Sequence, residues 1–141
     1  MTVRHTFSTS TDRIDRALVH RWLSEQSYWA VGRSRATQEA AIAASRNYGV
    51  YDDETGAQVA YGRAVTDGVT FAWLCDVFVA AEARGLGIGK MLAAGIVADL
   101  DSVQVKRILL STGDAHGLYA QFGFVGLTEP TRMMAREFSI D

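Results

Sequence analysis

Hydrophobic and polar positions change their spacing along this chain, and each change marks an element. Residues 3–8 read as a short first strand. Ser10, Thr11 and Asp12 then offer N-cap oxygens to a helix. Ile14, Leu18 and Trp22 recur every fourth residue and so share one face of it. Residues 27–34 break that pattern and contain Tyr28, Trp29, Gly32 and Arg33. Alanine-rich helix formers predict a second helix over residues 35–45. Residues 48–51, 58–65 and 69–79 read as strands, and the turn signals at 52–56 and 66–68 make them an antiparallel meander. After Val79 the spacing becomes helical, with Ile88, Leu92, Ile96 and Leu100 as a buried stripe. A strand at 106–111 and a short helix at 115–122 follow, the helix closed by Gly123 in the left-handed conformation. Residues 132–138 read as a last strand, so the order is mixed α/β.

Composition narrows the class. A chain of 141 residues suits a single domain, spanning 1–141, that can bury a core without disulfides or metal. Its net charge of −2, with no basic run, leaves no electrostatic footprint for nucleic acid. Cys75 is alone, which excludes an internal disulfide and suits a reducing compartment. Residues 1–10 lack the apolar core of a signal peptide, and no apolar stretch is long enough to span a bilayer. The expectation is a cytoplasmic protein with no membrane contact. His5, His20 and His116 are too scattered for metal-ligand spacing, so no metal is expected.

The densest signal lies where strand residues Val77, Phe78 and Val79 lead into Arg84-Gly85-Leu86-Gly87-Ile88-Gly89-Lys90. A helix beginning inside a glycine-rich turn presents unpaired N–H groups and the positive end of its dipole. Glycines let an anion approach those groups with no Cβ in the way. The dinucleotide fingerprint G-x-G-x-x-G fails, because Gly89 comes one residue early and Lys90 occupies the required position. A P-loop fails too, because Arg84 replaces its first glycine and Met91 its Ser/Thr. The same glycines also fit a tight turn that holds no ligand.

Arg84 to Gly89 resembles the R/Q-x-x-G-x-G/A signature of the GNAT acetyltransferase superfamily. Downstream, Asp114 to Phe124 resembles that family's second signature, with Tyr119, Phe122, Gly123 and Phe124 in a Y-x-x-F-G-F pattern. The resemblance covers nearly the whole chain. Ser27 to Ser34 is similar to the S-Y-W-A-x-G-R-S segment of small bacterial members of largely undefined substrate. Ala81 departs from the proline usual there, which bears on loop stiffness more than chemistry. The resemblance implies a GNAT-like fold, with a twisted, mostly antiparallel sheet of about six or seven strands and helices on both faces.

It also implies direct attack of an amine on the thioester of acetyl-CoA, here a co-substrate. Gly85, Leu86, Gly87, Ile88 and Gly89 would hold the pyrophosphate with Arg84, and Lys90 adds charge. The pantetheine arm would follow Val77, Phe78 and Val79, where a backbone N–H near Val79 polarises the thioester. Tyr119 matches the family's acid to the leaving thiolate, against the competing reading of a core aromatic. Leu118 and Phe122 mark a buried stripe beside which Tyr119 would face a cleft. The base stays open among Asp76, Glu82, His116 and a water chain; alternation puts Asp76 on one face with Leu74 and Phe78. Tyr28, Trp29 and Arg33 would wall the acceptor site, with Arg33 free to pair with an acceptor carboxylate. Cys75 reads as a small buried hydrophobe.

The resemblance therefore implies an N-acetyltransferase for a primary amine on a small-molecule or amino-acid-like acceptor, and it admits a homodimer. A protein N-terminal or lysine acetyltransferase is the nearest alternative. An aminoacyl-tRNA acceptor fits poorly with the charge, and a non-catalytic acyl-CoA sensor is the alternative from another class.

Overall fold

The computed structural model describes residues 4–138. The predicted meander is the centre of the sheet. β1 (His5–Ser8), β2 (Arg46–Asp52), β3 (Gln58–Thr66) and β4 (Ala72–Val79) pair antiparallel in chain order. β5 (Ile108–Leu109) joins parallel to β4 at the edge of a five-stranded sheet. Val3, expected in the first strand, lies outside the described residues.

The sheet is smaller than expected. β4 begins at Ala72 rather than residue 69, because the Asp67 carboxylate accepts the amides of Val69, Thr70 and Phe71 and closes a turn there. β5 keeps two residues of the strand predicted at 106–111. The strand predicted at 132–138 is absent among the described residues. A 3₁₀ turn at Pro130–Arg132 replaces its start, and the following chain is exposed, with Met134 95% accessible.

α1 (Arg16–Gln26) and α2 (Arg35–Ala43) cover one face of the sheet. The expected cap at Ser10–Asp12 is displaced, because Thr11–Arg13 forms its own 3₁₀ turn. Asp15 caps α1 instead, accepting from the Leu18 amide at 3.2 Å. α1 buries Val19, Trp22 and Leu23, and Trp22 stacks on Phe78 with ring centroids 5.5 Å apart. Ser34 caps α2 by accepting from Thr37 N.

α3 (Ile88–Ser102) covers the other face, and its predicted stripe of Ile88, Leu92, Ile96 and Leu100 is buried. Gly62 permits its close approach: a Cβ there would lie 3.0 Å from Ile96 Cδ1. Arg46 forks onto both Asp99 oxygens at 2.9 Å and Tyr48 donates to the same carboxylate, which fastens α3 to β2. α4 (His116–Ala120) is a short helix followed by Gly123 at φ 88°, the left-handed conformation its position predicts.

Candidate active site

β4 is opened by two irregularities. It pairs with β5 only at Ala72↔Ile108 and Trp73↔Leu109, so the rest of that edge has no strand partner. Its register with β3 also slips: Tyr61 faces Phe78 and Arg63 faces Cys75, leaving Asp76 and Val77 opposite Gly62. Two residues opposite one make a β-bulge, and Asp76 takes a φ of 56° to form it. The bulge overrides the alternation expected of this strand. Leu74, paired with Ala64, lies on the α3 face, whereas Asp76 and Phe78 reach Trp29 and Trp22 on the α1–α2 face.

The open edge presents backbone polar groups. Ala80 N donates to Val59 O of β3 at 2.8 Å, whereas the Val79 carbonyl accepts from Arg84 Nε at 3.1 Å on the other side. The N–H and C=O of one residue in an antiparallel strand point the same way, so the Val79 N–H also faces the opening. Val77 and Val79 are half-buried there.

The glycine loop stands at the end of this edge. Gly85 and Gly87 have φ of 81° and 79°, a conformation that favours glycine, and a Cβ on either would meet open space. Gly87 is the N-cap residue of α3 and supplies no side chain. Among the described residues, the Ile88, Gly89 and Lys90 amides have neither a side-chain cap nor a backbone acceptor. A Cβ on Gly89 would lie 3.8 Å from both Val79 Cγ2 and Leu118 Cδ2, so β4, α3 and α4 converge here. Arg84, Leu86 and Lys90 are exposed around the loop. Vacant donors, positive φ and open space at Gly85 and Gly87 fit a pyrophosphate, and the open β4 edge fits an extended amide-bearing arm. Two hollows of about 530 and 460 Å³ lie elsewhere, beyond β5, and border none of these residues.

On α4 the expected arrangement of side chains is reversed. Tyr119 is the buried residue, 7% exposed, while Leu118 and Phe122 are half-buried. A helix of five residues is too short for a four-residue stripe to dictate its packing, and Tyr119 instead meets Phe124 edge-on at 5.7 Å. Burial, then the charge of Asp114 and the proximity of Tyr28, push the Tyr119 phenol up to about 12. It therefore holds its proton at neutral pH. His116 and Glu82 are exposed, and neither makes a side-chain hydrogen bond among the described residues.

Residues 27–34 bridge β4 and the segment that follows β5. The Tyr28 hydroxyl accepts from Gly113 N, just past β5, at 3.1 Å. The neighbouring Trp29 indole donates to Asp76 Oδ1 on β4 at 2.9 Å. Arg33 Nη1 and Arg63 Nε each donate to Asp76 Oδ2 at 2.7 Å. Arg33 Nη1 also reaches Gln38 Oε1 at 3.1 Å, and Arg63 Nη1 reaches Ser45 Oγ at 3.2 Å. Burial works to raise the Asp76 pKa, but the hydrogen bonds and charges of the two arginines outweigh it and hold the carboxyl below its usual range. A carboxylate held in this way accepts a proton poorly and positions its partners well. Sequence reasoning missed Arg63 and Gln38. The available signal was a lone arginine inside the otherwise buried β3 run, since such a charge needs a partner.

Of the predicted site residues, the structure brings Val77, Val79, the glycine loop and α4 together around one opening. It gathers Trp29, Arg33 and Asp76 at the bulge beside it.

The sheet is mixed, β4 lacks a strand partner along most of one edge, and that edge leads to an uncapped glycine-rich helix start. Residues 16–124 match the Acetyltransferase (GNAT) family, and the chain belongs to that family. It is 39% identical to a GNAT-family protein from Xanthomonas campestris pv. campestris, with a TM-score of 0.88 over 96% of this chain and 94% of that one. It is 37% identical over 81 residues to Serotonin N-acetyltransferase 2, chloroplastic, of Oryza sativa subsp. japonica. That stretch is 57% of this chain and 40% of the rice protein, so less than half of the curated relative is matched. The ribosomal-protein-S18-alanine N-acetyltransferase of Escherichia coli shares the fold, with 20% identity, a TM-score of 0.69 and coverage of 89% and 80%. Among the described residues, no helix is long and apolar enough to cross a membrane, and no group of His, Cys, Asp or Glu is arranged for a metal.

Proposed function

We propose that this acetyltransferase moves an acetyl group from acetyl-CoA directly to the primary amine of a small molecule. The observation that carries the reading is the continuity of the open β4 edge with the uncapped start of α3. The amides from Gly87 to Lys90 would hold the pyrophosphate, and Arg84 and Lys90 add charge at its rim. When bound, acetyl-CoA supplies the activated thioester. The Val79 N–H, fixed by the strand before any reaction, would donate to the thioester oxygen as charge develops. Tyr119 would hold a proton at its hydroxyl for the departing sulfur.

Three side chains were candidates for the base. Asp76 lies within hydrogen-bond reach of two guanidiniums, so we assign it the positioning of Arg33 and Trp29. Water in the open cleft then takes the amine proton, with His116 and Glu82 too exposed to hold one fixed geometry. The single cysteine supports a reducing, cytoplasmic setting. A homodimer would find exposed apolar side chains at Val125, Met134 and Phe138.

Calorimetric titration with acetyl-CoA, followed by CoA-thiol release across a panel of amines and peptides, tests the proposal. Saturable binding with turnover on small amines is expected. Absence of acetyl-CoA binding overturns it, turnover on peptides alone favours a protein acetyltransferase, and binding without any turnover favours an acyl-CoA sensor.

A further inference from the structure

The cluster at the β4 bulge carries more positive charge than its own residues balance. Two guanidiniums face one carboxylate, and among the described residues neither pairs with a second acid. Both carboxylate oxygens already accept hydrogen bonds, one from Trp29 and two from the arginines. Each guanidinium has five N–H donors. The Nη2 groups of Arg33 and Arg63 have no protein acceptor among the described residues. Beside them Gln38, 0% exposed, turns its Oε1 to Arg33 and leaves its Nε2 buried without a partner. The amide is not simply reversed, because turning it would set Nε2 against the Arg33 donor. The arginine side chains keep 19% and 15% of their surface, so the cluster opens outward.

Surplus positive charge and unused, partly exposed guanidinium donors fit an anion from outside the chain. The cluster sits on the same strand as the Val79 amide, at the bulge where residues 27–34 cross. We propose that the acetyl acceptor is a small amine carrying an anionic group, a carboxylate or a phosphate, which Arg33 and Arg63 recognise while Gln38 holds Arg33 in place. This identification of the substrate class rests on the transferase reading above.

Paired acceptors test it. An α-amino acid is compared with its carboxamide, and an aminoalkyl phosphate with the parent amino alcohol, by CoA release. The anionic member of one pair is expected to show a kcat/KM about ten- to a hundred-fold higher, and the pair that shows it identifies the anion. Arg33→Gln and Arg63→Gln should each shrink that ratio through KM more than kcat, with Arg33→Lys restoring part of it. Equal rates within both pairs overturn the anionic acceptor and leave acetyl transfer standing.

Cys75 gives a readout independent of turnover. It is the only cysteine, is half-buried, and pairs across the ladder with Arg63. Its alkylation by iodoacetamide should be slowed by inorganic phosphate or by the free amino acid in the unmodified protein, and not in Arg33→Gln. Protection without any acetyl transfer sustains the anion site and overturns the transferase reading. No protection by either probe overturns the anion site.

Discussion

The glycine loop and the Asp76 cluster, which we propose as two anion sites, are built from opposite materials. The loop from Arg84 to Gly89 uses backbone: vacant N–H groups, positive φ at Gly85 and Gly87, and open space where those two glycines lack a Cβ. The cluster uses side chains from β3, β4, α2 and the segment before α2, joined across sequence separations from 5 to 47 residues. A backbone site accepts any ligand that presents a phosphate at the right place. A side-chain site discriminates, because every donor has a fixed direction and an unmet donor has a cost. The first suits the shared handle of a co-substrate, and the second suits the variable part of an acceptor.

The contrast is broken hardest at Asp76. Asp76→Ala should destabilise the fold by about 3 kcal/mol, because two guanidiniums lose their common partner, and urea denaturation would read it. A loss below about 1 kcal/mol would mean that solvent already screens the cluster. At the loop the effect should fall on the ligand instead. Gly87→Val forces a β-branched residue to positive φ beside the vacant amides, and acetyl-CoA affinity should drop about 100-fold with a smaller change in stability. Unchanged affinity by calorimetry would remove the loop from the site.

Tyr119→Phe separates chemistry from grip. Turnover should fall about ten- to a hundred-fold while acetyl-CoA affinity holds. Equal losses in both, with a lowered midpoint, would make Tyr119 a packing residue. With its phenol at about 12, Tyr119 should impose no fall in rate between pH 7 and 10, so the profile rises to a plateau as the amine deprotonates.

The smallest effect is a pH dependence of stability. The folded Asp76 pKa lies below the unfolded value near ~4. Its stabilisation is therefore complete above that value and is lost as pH falls through the folded pKa. The gap in urea midpoint between the unmodified protein and Asp76→Asn should stay constant from pH 5 to 8 and narrow below about pH 4. A gap independent of pH throughout would mean that Asp76 is not ionised in the fold.

Much of the fold was legible because its signals are local. The stripe at Ile88, Leu92, Ile96 and Leu100 is periodic, and the meander turns carry Asp52, Gly56, Asp67 and Gly68. The structure departs from these expectations mainly where two local signals competed. Asp15 displaced three other candidate caps, and the carboxylate of Asp67 shortened β4. The strand expected at 132–138 found no ladder partner among the described residues. Tyr119 took the buried position because Phe124, beyond the helix, supplied the surface for it.

By itself the sequence determined the family, the glycine loop and the helix that starts there, because each depends on residues adjacent in the chain. The backbone donors of a helix start need no partner from elsewhere. Only the tertiary structure decided what Asp76 does. A one-residue slip against Gly62 moved it off the face it would share with Leu74 and set it between Arg33 and Arg63. Strand register is a property of two strands together, so neither strand's sequence states it alone.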